Sequence, residues 1–196
     1  MAEKPAVLFA IPEGSLVRKN IFTSENKNLI RAMKKAAKDL AERGLSSEAT
    51  GNMSARVDDG FLISATGSRF ASLSDDDFVL VQEFDFEKEA LGKAFGLKTP
   101  SSDTPVHYQV YARRPDVRAI IHAHDAALAG EDAARKLKLP ITGSELKGGT
   151  REAAEAVAGL LASGDAVIIK NHGIFVVGKS IEECADRLIT LHRRAR

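Results

Sequence analysis

Three histidines have the types and spacing for metal chemistry. His122 and His124 stand two apart in RAIIHAHD, and Ile120 and Ile121 ahead of them favour an extended strand, where residues two apart share a face. Both imidazoles then point the same way. His172 lies in NHG between two apolar runs, which places it at a hairpin tip or bend. A strand pair plus a turn histidine is the three-nitrogen set of an open catalytic metal site, with one coordination position left for a substrate oxygen. An H-x-H pair also occurs as an ordinary surface pair, so spacing alone leaves both readings open. The other two histidines, His107 and His192, fall at amphipathic helical spacing and read as packing or surface residues.

Ser101, Ser102 and Asp103 lie just ahead of a helix that Thr104 caps, that Pro105 opens and that stops before Pro115. They face the positive end of its dipole, a natural place for a phosphate, although Asp103 also suits an additional cap. Upstream, the turn-rich segments Thr50 to Ser54 and Ala65 to Ser68 bracket the strands SARV and FLIS, which Asp59-Gly60 joins as a hairpin. That pairing brings both turns to one end. Backbone N–H groups of Gly51, Asn52 and Gly67, with the hydroxyls of Ser54 and Thr66, can form an anion nest there, and ordinary turns fit the same residues.

The elements that must position these groups follow from periodicity. Residues 1–26 mix Pro, Gly and Ser without a sustained period and read as an appended arm; residues 27–196 read as one domain. From Lys27 a helical stripe of Leu29, Ile30, Met33, Ala36, Ala37 and Leu40 runs to Arg43 or Gly44. Phe78 to Phe86 alternates as a strand, and another short strand follows a turn at Glu87 to Gly92. A helix is expected from about Ala126 to Leu137, and Thr150 caps another over Arg151 to Ala162. Strands Ala166 to Lys170 and Ile174 to Val177 flank His172. A capping box at Ser180 to Glu183 opens the last helix, whose basic end suits the negative dipole terminus.

Composition narrows the partners. With 44% hydrophobic residues over 196, the chain can bury a substantial core as a single domain. Its net charge of +1 supplies no field for nucleic acid or an anionic membrane, so an anionic ligand must be held locally. The single cysteine, Cys184, excludes an internal disulfide and suits core packing in a reducing compartment. No run approaches a membrane span or a signal-peptide core, so a cytoplasmic protein is expected.

The pieces TGNMSARVDDGFLISATGS, PSSDTPVHYQVYARRPDVRAIIHAHD, GGTREAAEAV and IIKNHGIFVVGKSIEECADRL occur in the order found in the class II aldolase and adducin family. The chain resembles that family from about Lys27 to Arg196. The resemblance implies a single-domain three-layer α/β/α fold with a mostly antiparallel central sheet. It also implies a homotetramer with active sites between subunits. His122, His124 and His172 look like ligands of zinc, or of another divalent transition metal. Gly51, Asn52, Thr66, Gly67, Ser101 and Ser102 look like the phosphate cradle. Asp103 stands where the aldolases carry a glutamate that is both metal ligand and acid/base, as a shorter carboxylate similar to the epimerase branch. Aligning on GTRE puts Glu145 where the aldolases place an interface tyrosine, which makes it a second acid/base candidate. The chain reaches Arg196 without the tail that carries a further tyrosine in both branches.

The implied activity is a metal-dependent aldolase that cleaves a phosphorylated ketose to dihydroxyacetone phosphate and an aldehyde through a metal-stabilised enediolate. A pentulose-phosphate 4-epimerase using the same retro-aldol chemistry is the alternative. A non-catalytic adducin-like module is the third reading, although a scaffold has no chemical need for three metal-type histidines.

Overall fold

The computed structural model describes residues 8–46 and 50–196, so the first seven residues of the expected arm lie outside the described residues. Eight strands form one sheet: β1 (Leu16–Arg18), β2 (Asn52–Val57), β3 (Gly60–Ser64), β4 (Phe78–Asp85), β5 (Ala90–Gly96), β6 (Ala119–Ala123), β7 (Ala166–Ile169) and β8 (Gly173–Gly178). Their spatial order is β1-β5-β4-β3-β2-β6-β8-β7, and only β1 runs parallel to its neighbour. Five helices cover the sheet: α1 (Ser24–Glu42), α2 (Thr104–Arg113), α3 (Glu131–Leu137), α4 (Arg151–Leu160) and α5 (Ile181–Ala195).

Strand parity sorts the side chains into two cores. Met53, Ala55, Ile121 and Ala123 point to one face and pack with Ile30, Met33 and Leu40 of α1 and Leu188 of α5. Ile120, Val167, Phe175 and Val177 point to the other face and pack with Val106 and Val110 of α2 and Val157 of α4. This is the expected three-layer α/β/α domain with a mostly antiparallel sheet. The same parity turns Asn52, Ser54 and His122 toward α2, and the register sets Asn52 opposite His122 on adjacent strands.

Several boundaries differ from the periodicity, each for a local reason. The first helix begins at Ser24 rather than Lys27, because the Thr23 hydroxyl caps it by accepting from the Asn26 N–H. Glu42 ends it, and Gly44 follows at φ +79° as expected for a C-terminal cap. The helix expected from Ala126 is split at Gly130 into a 3-10 turn (Ala126–Leu128) and α3. Ser180 caps α5, but Glu183 reaches back to the N–H of Lys179 rather than of Ser180. Residues 8–23 are tied to the sheet edge, where β1 pairs with β5 and Phe9 packs edge-on against Phe84 at 5.4 Å. A strand of three residues is too short to show a period. Cys184 is buried, and burial pushes its thiol up to about 12, which suits a packing role.

Candidate active site

The three sequence-selected histidines converge. His122 is the penultimate residue of β6, His124 lies one residue beyond the strand's end, and His172 sits in the turn joining β7 to β8. That turn needs a left-handed residue, which Asn171 supplies at φ 58°, its N–H held by the carbonyl of Ala129 at 2.7 Å. The ring centroids lie 4.5 to 5.2 Å apart, and one ligating nitrogen from each histidine falls within 4.8 Å of the others.

Each ring is aimed from behind. His122 Nδ1 donates to the carbonyl of Ile174 at 3.1 Å, and the ring stacks on Phe175 with centroids 4.1 Å apart. His172 Nδ1 donates to the carbonyl of Leu146 at 3.0 Å. These bonds fix the tautomers and turn both Nε2 lone pairs toward the cluster, which is how outer hydrogen bonds orient metal-ligating histidines. His124 is placed through its backbone, its N–H donating to Ser46 Oγ at 3.0 Å. His172 Nε2 and His124 Nε2 approach to 3.1 Å. Burial, reinforced by the neighbouring histidines, holds His122 well below the ordinary imidazole range. Burial and His172 lower His124 to about 4. Both are therefore neutral ligands at physiological pH.

The donor set fits a divalent ion. Among the described residues, His122 Nε2 is buried with no hydrogen-bond partner, and Asp103 Oδ2 lies 3.9 Å from it. Asp103 Oδ1 is likewise buried and without a partner. Orphaned buried polar atoms are rare in a folded chain, and two in one nitrogen and carboxylate cluster mark a place built for a ligand. His122, His124 and His172, with Asp103 at hand, would hold the ion.

Asp103 is set at the start of α2, where its side chain forms no helix cap. Its Oδ2 instead accepts from Asn52 Nδ2 at 2.7 Å. Asn52 Oδ1 accepts from His107 Nε2 at 2.6 Å, His107 Nδ1 meets Ser54 Oγ at 2.6 Å, and Ser54 Oγ meets the Tyr111 hydroxyl at 2.8 Å. All five residues are buried. Burial lowers His107 to about 3, so it is a neutral imidazole. The expectation that His107 only packs is corrected here: a residue on the buried face of α2 serves a polar chain leading to the candidate acid. Amphipathic spacing reports burial and is blind to what the buried group bonds. Asn52, expected at the anion, spends both ends of its side chain on Asp103 and His107. Ser54, also placed with the nest, is spent on His107 and Tyr111. His192 pairs with Asp125 at 2.5 Å, away from the trio.

The glycine turns and the Ser101-Ser102 segment do come together. The N–H of Ser101 donates to the carbonyl of Ser64, the N–H of Thr66 to the carbonyl of Thr99, and Ala65 bridges Pro100. Those two N–H groups are thus committed, whereas Thr66 Oγ1 is buried without a partner. Gly51 has a steric role. At φ +99°, an added Cβ would stand 2.7 Å from both the His122 carbonyl and Ser46 Oγ. The loop before α4 presses on the acid from the other side, since a Cβ on Gly148 would fall 2.9 Å from Asp103 Oδ1. Glu145, in the same loop, is exposed and forms no hydrogen bond or ion pair with any described residue.

Residues 31–196 match the family described as Class II Aldolase and Adducin N-terminal domain, and the chain belongs to that family. It is 27% identical over 175 residues to an L-fuculose phosphate aldolase of Escherichia coli O6:H1, covering 81% of this chain and 77% of that protein. It is 25% identical over 191 residues to a methylthioribulose-1-phosphate dehydratase of Pseudoalteromonas translucida, covering 85% and 88%. A shorter match, 35% over 89 residues, reaches a 5-methylthioribulose-1-phosphate/5-deoxyribulose-1-phosphate aldolase of Rhodospirillum rubrum and covers 45% of this chain and 37% of that protein. Among solved structures, the L-fuculose-1-phosphate aldolase of Thermus thermophilus superposes with a TM-score of 0.69 at 27% identity, covering 87% of this chain and 92% of that one. No described helix is long and apolar enough to cross a membrane.

Proposed function

We propose that the chain is a metal-dependent aldolase that cleaves a phosphorylated ketose to dihydroxyacetone phosphate and an aldehyde. The observation that carries this reading is the meeting of three histidine nitrogens with a buried carboxylate whose second oxygen has no partner among the described residues. When bound, a divalent ion, most simply zinc for an all-nitrogen trio, supplies Lewis-acid polarisation of a carbonyl and charge stabilisation of the enediolate.

The remaining roles belong to the protein. Asp103 is the proton-transfer carboxylate, its Oδ2 anchored by Asn52 and its Oδ1 left without a partner among the described residues. Thr66, Gly67, Ser101 and Ser102, with the backbones of Gly51 and Asn52, hold the substrate phosphate and fix the reacting bond in register. Glu145, exposed beside the loop carbonyl that holds His172 and bonded to no described group of the site, has at most a small share in proton transfer as a second acid/base at the open side. The assembly is a homotetramer with sites between subunits, a reading supported by family membership and by apolar Leu8, Ile11, Val17 and Leu97 left exposed.

The short carboxylate at position 103 favours a second reading, a 4-epimerase that re-forms the bond on the opposite face of the aldehyde. The test is to incubate zinc-loaded parent and Asp103→Glu proteins with a panel of phosphorylated ketoses, following aldehyde release and epimer formation separately. Aldehyde release by the parent, with Asp103→Glu retaining cleavage, supports the aldolase. Epimer formation without free aldehyde supports the epimerase.

A further inference from the structure

We propose that His107 is a positioning residue that fixes which end of the Asn52 amide faces Asp103, and so keeps Asp103 Oδ1 available for proton transfer. The inference rests on Asp103 being the proton-transfer carboxylate.

Hydrogen-bond direction follows from the far end of the chain of contacts. The Tyr111 hydroxyl is buried against Ser54 Oγ at 2.8 Å, and burial raises its pKa further above the ordinary phenol range, so it keeps its proton and must donate it. Ser54 accepts that proton's bond and has one hydroxyl hydrogen of its own, which goes to His107 Nδ1 at 2.6 Å. A neutral imidazole that accepts at Nδ1 carries its proton on Nε2, the atom 2.6 Å from Asn52 Oδ1. With its oxygen pinned there, Asn52 can turn only its NH2 toward Asp103 Oδ2 at 2.7 Å.

The reverse orientation is costly at both ends. Rotating the Asn52 amide would set its NH2 against His107 Nε2–H, donor to donor, and its oxygen against the Asp103 carboxylate, acceptor to acceptor, in a buried place. The polarity set at Tyr111 thus passes through four bonds to the acid. Ser101 Oγ holds the Asp103 backbone N–H independently at 3.2 Å, so loss of His107 frees the carboxylate without dismantling the loop.

The test uses the zinc-loaded full chain. His107→Phe should lower kcat about 50-fold on whichever phosphorylated ketose the parent cleaves, with KM and metal content held within about twofold, because proton transfer is worth 10²–10⁴-fold and binding is untouched. His107→Gln keeps one donor toward Asn52 and one acceptor toward Ser54, and should recover at least about a third of the parental kcat. Tyr111→Phe, which only removes the terminal donor, should lower kcat by about threefold to tenfold. Long-range ¹H–¹⁵N spectra of the substrate-free parent should show His107 as the Nε2–H tautomer.

Equal losses in His107→Phe and His107→Gln, parental kcat in folded His107→Phe, or an Nδ1–H tautomer would each overturn the proposal. If His107→Phe fails to fold, parental kcat in Tyr111→Phe overturns it and the stated loss upholds it. A parent that binds metal but turns over no phosphorylated ketose brings down the aldolase reading instead. The tautomer spectrum then decides the orientation of Asn52 on its own.

Discussion

Two groups of buried and half-buried polar residues meet at Asp103, at the start of α2, and they are finished differently. The chain from Tyr111 through Ser54, His107 and Asn52 pairs every side-chain donor that faces inward. The cluster of His122, His124, His172 and Asp103 leaves His122 Nε2 and Asp103 Oδ1 without partners among the described residues. A folded chain avoids orphaned groups unless something else is to fill them, so the first group is support and the second is the working site. The lesson is that burial alone does not separate the two. Saturation of hydrogen bonds does.

The largest break in that contrast comes from the unfinished side. Asp103→Asn keeps one oxygen to accept from Asn52 Nδ2 and puts an NH2 in place of the proton-transfer oxygen. It should cut kcat by about 10²–10⁴-fold while the three histidines retain the ion, measured by steady-state kinetics beside metal analysis. Activity within tenfold of the parent would remove Asp103 from the chemistry. Gly148→Ala sharpens the same point sterically. Its Cβ would lie 2.9 Å from Asp103 Oδ1, so kcat should fall about tenfold with no change in metal content. Ser102→Ala acts at the other end of the proposed substrate and should raise KM for a phosphorylated ketose by about fivefold to tenfold, leaving kcat near parental. An unchanged KM would mean that the ligand carries no phosphate at this place.

The support side is read through stability rather than turnover. His107 takes a proton near pH 3 when folded, against an ordinary value of 6.5. Between those values the unfolded chain binds more protons, so the contribution of His107 is fully present above about 6.5 and is lost as pH falls toward 3. Metal-stripped parent should therefore lose denaturant resistance on acidification more steeply than His107→Gln, by up to about 1.4 kcal/mol per pH unit inside that window. His122 and His124 shift the same way in both proteins and cancel in the comparison. Parallel pH profiles for the two proteins would contradict the assignment. Glu145→Gln is expected to have the smallest effect, about threefold or less in kcat, since the exposed carboxylate touches no described group of the site.

The histidine trio was legible because its evidence is local. Two residues apart on a strand share a face whatever the strand pairs with, and NHG between apolar runs bends wherever it lies. The three-layer arrangement came from the resemblance to the class II aldolase and adducin family, whereas most individual helices and strands were legible for a similar reason, from helical stripes and strand alternation. Asn52 and His107 were not, because their roles depend on β2 pairing with β6, a contact between segments about seventy residues apart. Before that register is known, Asn52 next to Gly51 reads as a turn residue and His107 reads as one more member of a buried helical face. Gly51 shows the same limit: its freedom serves the close approach of the His122 carbonyl, which only the folded sheet brings near.

The central claim is that the unfinished cluster is a metal site on which activity depends. The most direct measurement is the divalent metal content per chain of the purified, dialysed protein, taken together with that of His172→Ala and with the turnover of both. About one ion per chain in the parent, lost with activity in His172→Ala, is the expected result. Full metal occupancy in His172→Ala, or a parent that turns over its substrate equally well after the metal is removed, would contradict it.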